Sequence, residues 1–155
     1  MKLNLTPEEY SAKAKALFEQ GYNCAQAVLL AFDDITGLDT EIAAKLSSSF
    51  GGGMGRLREV CGAVSGMFMV AGIAGGYSDP KAKVEKADHY TFIQSLAAEY
   101  KKENGSIICK ELLGLPGAQD PVPEDRTTEY YRRRPCGEYV AHAAKLLAQK
   151  LAELE

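Results

Sequence analysis

Four cysteines, Cys24, Cys61, Cys109 and Cys136, are the residues of this chain whose type most directly suggests chemistry. A deprotonated cysteine is the nucleophile of disulfide exchange and also a ligand for iron or zinc. No two of the four form a C-x-x-C pair, and their spacing matches no zinc-finger or thioredoxin-type motif. Any site that combines them must therefore be assembled by the fold, and the sequence alone leaves three disulfide connectivities open.

Each cysteine also lies near the predicted start of a helix. The start signals are Asn23 before Cys24, the glycine segment 51–55 before Cys61, Ser106 before Cys109 and Pro135 before Cys136. The first turn of a helix has unpaired N–H groups and the positive end of the helix dipole, and both stabilise a thiolate. The pattern favours thiolate chemistry over the alternative that these are simply small buried residues, which is a common role of free cysteine.

Two glycine features flank Cys61. The segment Gly51–Gly55 lacks the Lys-Ser/Thr ending of a phosphate-binding P-loop and follows no predicted strand. It therefore predicts a close approach of two backbone segments more than a nucleotide site. Gly62 and Gly66 are four residues apart and predict a flat helix face next to Cys61. That face suits either another helix or a cofactor, and both interpretations stay open at this point.

Several charged side chains are close to the cysteines in sequence. Arg56 and Arg58 flank the end of the glycine segment, and the arginine run at 132–134 precedes Cys136. These arginines are either ordinary solvated charges or groups that favour a thiolate or a negatively charged cluster. The sequence does not decide between these roles for Arg132, Arg133 and Arg134. The isolated His89 and His142 are predicted to be ordinary histidines and not ligands.

Helix signals dominate the rest of the chain. The predicted helices cover residues 7–20, 24–32, 40–50, 59–73, 79–102, 107–113 and 135–154, and residues 114–134 are predicted to form one long loop. No segment alternates convincingly as a strand. The predicted fold class is all-α, a compact bundle of about six or seven helices in a single domain over residues 1–155.

Composition narrows the class of protein further. The chain has 155 residues, of which 46% are hydrophobic and 25% charged, with a net charge of −3. This balance is ordinary for a globular protein and predicts no nucleic-acid partner. The most apolar segment, 60–74, is too short and too rich in glycine to predict insertion in a membrane. We expect a cytoplasmic protein, where reduced thiols serve metal binding, catalysis or redox sensing more than structural disulfides.

Taken together, these motifs resemble a known family. The segments Gly21–Val28, Gly51–Gly55 and Cys61–Gly66, followed by single cysteines at 109 and 136, look like the four-cysteine CGAxxG family, C_GCAxxG_C_C. The resemblance covers about residues 8–145 and implies redox activity. The chain is also similar to a domain of split-Soret cytochromes c, in which cysteines of this kind are associated with non-haem iron–sulfur coordination. No haem is implied, because the chain has no C-x-x-C-H attachment motif.

The resemblance implies that the four cysteines act as one site. The leading hypothesis is an electron-transfer protein in which Cys24, Cys61, Cys109 and Cys136 hold an iron–sulfur cluster of the 2Fe–2S type, with Gly62 beside the cofactor. One alternative is a metal-free thiol–disulfide protein in which the same cysteines are the redox thiols. The other is a structural zinc or interaction module. A redox partner protein of unknown identity is expected, a homodimer is a candidate assembly, and whether the protein is an enzyme stays open.

Overall fold

The structure, a computed structural model, describes residues 1–154 and contains nine helices in that range. Their bounds are α1 (Pro7–Glu19), α2 (Cys24–Ala31), α3 (Asp33–Thr36), α4 (Thr40–Ser48), α5 (Gly62–Gly75), α6 (Lys83–Asn104), α7 (Cys109–Leu113), α8 (Thr128–Arg133) and α9 (Cys136–Ala152). One further helical turn, Gly51–Met54, is interrupted by left-handed backbone at Gly52 and Gly53, and we call it the glycine turn. The prediction of an all-α fold is confirmed.

Side-chain caps set the starts of the first two helices. The Thr6 side chain accepts a hydrogen bond from the backbone of Glu9, whose carboxylate accepts one from the Thr6 N–H in return. Asn23 and Gln26 form the same reciprocal arrangement at the start of α2. These capping boxes satisfy N–H groups that a helix start leaves unpaired. The second box therefore makes Cys24 the first residue of α2.

The core lies where α1 packs on α9 and α2 packs on α5, with α2 also in contact with both α1 and α9. Helix α5 is apolar on nearly all sides, and its first six residues are buried, as expected of a helix surrounded by others. A Cβ atom at Gly66 would lie 2.7 Å from the carbonyl oxygen of Ala25, so only glycine allows α5 to come this close to α2. The flat face that the sequence predicts at Gly62 and Gly66 is therefore the face that packs on α2.

The structure corrects four local predictions. The helix predicted from residue 79 begins at Lys83, and Ser106 does not cap α7 but accepts a hydrogen bond from the N–H of Ile108. The long loop predicted at 114–134 contains α8, whose start is capped by the Thr127 side chain. Helix α3 was also not predicted. Both missed helices are only four to six residues long, too short to show the periodicity on which sequence prediction depends.

The apolar helix α5 has 14 residues. Within residues 1–154, no helix combines the length and the hydrophobicity that crossing a membrane requires.

Candidate functional site

All four cysteines line one cavity of about 410 Å³. Cys24, Cys109 and Cys136 are the first residues of α2, α7 and α9, and Cys61 is the N-cap of α5. The predicted helix-start positions are therefore confirmed for all four. The glycine turn forms another part of the wall, together with Pro121, Pro123 and further residues of the 114–134 segment. Every thiol is free in this structure.

Cys61 and Cys109 lie at diagonal positions of a short pairing of two backbone segments. Val60 and Ile108 form an antiparallel bridge. The N–H of Cys61 donates to the carbonyl of Ile107 at 2.8 Å, and the N–H of Cys109 donates to the carbonyl of Glu59 at 2.5 Å. These bonds join two segments that are far apart in sequence, so they determine the position of this pair directly. Both residues are almost completely buried, with 5% and 6% of their surface exposed.

A single polar side chain contacts the sulfur of each buried cysteine. The hydroxyl of Tyr100 lies 3.7 Å from Cys61 Sγ, and Nη1 of Arg58 donates to Cys109 Sγ at 3.5 Å. Burial raises the pKa of Cys61 to about 11, against the opposing effect of the Tyr100 hydrogen bond. Burial likewise raises the pKa of Tyr100. Without a metal, Cys61 is therefore a neutral thiol at physiological pH.

Cys24 and Cys136 form the second pair, and both are half-buried. A hydrogen bond between the two thiols lowers the pKa of Cys136 to about 7, and the positive charges of Arg134, Arg58 and Arg126 act in the same direction. The same hydrogen bond, with burial, raises the pKa of Cys24 well above its ordinary value. The pair is therefore asymmetric, because Cys136 ionises near neutral pH whereas Cys24 stays a neutral thiol.

Glycine is required where the glycine turn passes the cysteines. Gly53 has a φ of 66°, and a Cβ atom there would lie 2.6 Å from Cys109 Cβ and 2.8 Å from Cα of Arg58. A Cβ at Gly62 would lie 3.1 Å from Cys24 Cβ. The close backbone approach predicted from the glycines is thus realised on both sides of the cavity, against Cys109 and against Cys24.

Three residues beside these glycines also adopt left-handed backbone although they carry side chains. They are Met54, Arg56 and Arg58, with φ values of 70°, 68° and 60°. Such a conformation costs about 1–3 kcal/mol per residue and persists only where the surroundings enforce it. Two of the three strained residues are arginines that line the cavity. The strain therefore coincides with the wall that faces the cysteines.

Four arginines line the cavity, and Arg126 holds part of its wall in place. Its guanidinium donates to the carbonyls of Phe18 and Tyr22 at 2.6 and 2.8 Å and lies 4.2 Å from the centre of the Phe18 ring. These contacts attach the 114–134 segment to the end of α1. Because Arg126 lies in a segment without periodicity, no sequence signal marks it.

Few of the other residues singled out in the sequence line the cavity. Of the arginine run, only Arg134 lines the cavity, where it pairs with Glu124 at 2.7 Å. His142 pairs with Glu103, and neither His142 nor His89 is part of the wall. The sequence interpretation overlooked Tyr100. The spacing of Leu96 and Tyr100, the two buried residues of α6, is a signal that could have found it.

The cysteines do not converge on one metal position. Among residues 1–154, no group of three or more Cys, His, Asp or Glu side chains is arranged to hold a single metal ion. The four thiols instead lie on the wall of a shared cavity. This arrangement gives no support to a single tetrahedral zinc ion, which needs its ligands around one point.

Comparison with known proteins identifies the family. A family model with the description "Putative redox-active protein (C_GCAxxG_C_C)" matches residues 22–150, a span that includes all four cysteines. No curated protein and no solved structure matches the chain. The match covers most of the chain and every cavity-lining residue except Phe18. The chain therefore belongs to the C_GCAxxG_C_C family.

Proposed function

We propose that this protein transfers electrons through an iron–sulfur cluster, of the 2Fe–2S type, held by Cys24, Cys61, Cys109 and Cys136. The observation that carries the proposal is that four thiols from distant parts of the chain line one cavity. Family membership supports redox activity in general, and the cluster is the finer claim. The proposal includes a partner protein that supplies or accepts the electron.

The chemistry of the donor set fits such a cluster. Four thiolates are the usual ligand count for a 2Fe–2S cluster, and the four cysteines that line the cavity would supply them. The cavity arginines and the positive ends of α2, α5 and α9 would compensate the negative charge of such a cluster. When bound, the cluster supplies a one-electron redox centre.

The chain's own residues would set the properties of that centre. Hydrogen bonds to ligand sulfurs and exclusion of water are among the factors that tune the reduction potential of a cluster. Arg58 donates to Cys109 and the hydroxyl of Tyr100 contacts Cys61, so the buried pair already has such partners. The 114–134 segment, held by Arg126, covers part of the cavity and limits access of solvent.

Anaerobic purification followed by iron and acid-labile sulfide analysis tests the proposal. We expect two irons and two sulfides per chain, with a visible absorption spectrum that bleaches on reduction. Chemical reconstitution with iron and sulfide, run in parallel, separates true absence from loss during handling. Absence of both elements after purification and reconstitution would contradict the cluster.

A metal-free dithiol is a second candidate, favoured by the asymmetry of one pair. The Cys136 thiolate would attack a partner's disulfide, form a mixed disulfide and release one partner thiolate. Cys24 would then lose its proton and attack Cys136, which closes a Cys24–Cys136 disulfide and releases the second partner thiolate. The partner's disulfide is thereby reduced to two thiols. Mass spectrometry of the protein equilibrated in glutathione buffers would detect this disulfide, and its absence would exclude the candidate.

A further inference from the structure

Residues 121–134, which we call the strap, cover one side of the cysteine cavity without belonging to the core. The strap residues that line the cavity are Pro121, Pro123, Glu124, Arg126, Tyr130 and Arg134. None of residues 110–139 is buried, whereas α6 before this stretch and α9, which begins within it, contain core residues. The strap therefore shields the cysteines while it contributes little to the hydrophobic core.

No backbone hydrogen bond joins the strap to the rest of the described chain, residues 1–154. Its own backbone bonds are local, such as the one from the N–H of Arg134 to the carbonyl of Tyr130 at 2.9 Å. The last backbone attachment before the strap is the N–H of Gln119, which donates to the carbonyl of Arg56 at 2.9 Å. A segment with few core contacts and no backbone bonds to its surroundings opens at a low free energy.

The side-chain hydrogen bonds from the strap to the body of the described chain all lie at the end of α1. Arg126 donates to the carbonyls of Phe18 and Tyr22, at 2.6 and 2.8 Å. The Tyr131 hydroxyl donates to the carbonyl of Glu19 at 3.4 Å. Carbonyls at a helix end accept from side chains or from water. These contacts therefore hold the strap closed, and water can replace them when it opens.

The other ion pairs of the strap, within residues 1–154, are internal. Glu124 accepts from Arg133 at 2.9 Å and from Arg134 at 2.7 Å, and Arg132 lies 3.9 Å from Glu129. These pairs would move with the strap and stay intact when it opens. Opening therefore separates few groups beyond those at the end of α1.

We propose that the strap is a cover over Cys24 and Cys136, held closed by Arg126 at the end of α1, and that it opens to expose these two cysteines to a partner protein. The closing contact is next to the site, because Tyr22 lies two residues before Cys24 and the strap ends two residues before Cys136. The inference goes beyond the proposed function. It holds whether the cysteines bind a cluster or act as a dithiol.

Alkylation of Cys136 by a small and a large reagent, N-ethylmaleimide and a maleimide attached to polyethylene glycol, tests the cover. The full-length protein is used after chelation of any metal. Cys136 is half-buried, so the small reagent reaches it without opening of the strap. Both reagents attack the same thiolate, so the ratio of the large-reagent rate to the small-reagent rate reports access and not pKa. Peptide mass spectrometry measures both rates.

Removing the closing contact should raise this ratio. Arg126→Gln should raise it about tenfold, because it removes two hydrogen bonds from a charged donor. Arg126→Lys keeps the charge but cannot hold both carbonyls in the same way, and should give a smaller rise. Arg133→Gln is the matched control, because Arg133 lies in the strap and pairs with Glu124 inside it. This variant should keep the ratio of the unmodified protein.

Three results would overturn the inference. They are an unchanged ratio in Arg126→Gln, an equal rise in Arg133→Gln, and a large-reagent rate equal to the small-reagent rate in the unmodified protein. Labelling by the large reagent should also be insensitive to low urea concentrations, because opening of the strap exposes little surface. A steep rise with urea would assign the labelling to global unfolding and reject the cover. Circular dichroism checks folding, and Arg126→Lys decides if Arg126→Gln loses helix.

Discussion

The two cysteine pairs share one cavity but are positioned by different means. Cys61 and Cys109 are held by direct hydrogen bonds between two backbone segments, with both side chains almost completely buried. Cys24 and Cys136 begin α2 and α9, so only the packing of these helices brings them together. The first pair is therefore positioned by its own backbone hydrogen bonds, and the second depends on the arrangement of the whole core.

The two pairs also differ in how easily their thiols ionise. Burial holds Cys61 as a neutral thiol, whereas the hydrogen bond with Cys24 and three arginines lower the pKa of Cys136 to about 7. A single metal cluster would make all four cysteines equivalent ligands. A dithiol mechanism would use only the half-buried pair. The contrast between the pairs thus separates the two candidate functions, and the following predictions test it.

Replacing individual cysteines should have the largest effect. If one cluster is held by both pairs, Cys61→Ser should reduce iron and sulfide almost to zero, as should Cys136→Ser. If Cys24 and Cys136 act alone, Cys61→Ser should leave their disulfide intact under oxidising glutathione buffer. Metal analysis and disulfide mapping on the same variants provide the measurement. Circular dichroism checks that each variant is folded.

A side chain at Gly53 should damage the buried pair. Gly53→Ala adds a Cβ at a left-handed position, where it would lie 2.6 Å from Cys109 Cβ. We expect it to lower the free energy of unfolding by more than about 2 kcal/mol in urea denaturation.

Gly72→Ala is the matched control for this prediction. Gly72 lies inside α5, and a Cβ there would meet nothing within 4 Å. Alanine at this position should be neutral or should stabilise the protein by up to about 1 kcal/mol. Equal destabilisation by the two substitutions would show that the close approach at Gly53 has no special importance.

The reactivity of Cys136 should report the asymmetry of the half-buried pair. In the metal-free protein, its alkylation by iodoacetamide should be half-maximal near pH 7, because its lowered pKa keeps the thiolate above that pH and loses it below. At pH 7 we expect it to react at least about tenfold faster than Cys61, whose pKa is raised to about 11. Peptide mass spectrometry over a pH series measures both rates.

The partner thiol provides the control. Cys24→Ala removes the hydrogen bond that contributes most to the lowered pKa of Cys136. The midpoint of alkylation should therefore move upward, toward the range of an ordinary thiol. An unchanged midpoint would assign the effect to the arginines alone.

Removing the Tyr100 hydroxyl should have the smallest effect. Tyr100→Phe deletes the contact with Cys61 Sγ and leaves the ring in the core. A hydrogen bond to a ligand sulfur stabilises the reduced, more negative cluster, so its loss should make the reduction potential more negative. A potentiometric titration followed by absorbance measures the shift. Tyr10→Phe is the control, because the Tyr10 hydroxyl donates to Asp34 at 2.7 Å and Tyr10 is not part of the cavity wall. A similar shift in both variants would contradict the assignment.

The sequence by itself was sufficient for the all-α class and for the position of each cysteine at a helix start. Both follow from local physics. Periodic apolar residues specify long helices, and a capping box such as Asn23–Gln26 marks a start within four residues. The same reasoning failed for α8, whose six residues are too few for a periodic pattern and whose cap, Thr127, lies in a segment rich in proline.

Only the tertiary structure decided which cysteines are neighbours. Cys61 meets Cys109 through backbone hydrogen bonds, which carry no side-chain signature in the sequence. Cys24 meets Cys136 because α2 and α9 pack in one core. Arg126 forms a hydrogen bond at the end of α1, a contact that no sequence motif predicts. The position of each thiol at a helix start is thus determined by residues nearby in the sequence. Thiol pairing, pKa and cavity charge are long-range properties, because they arise from groups that only the folded core brings together.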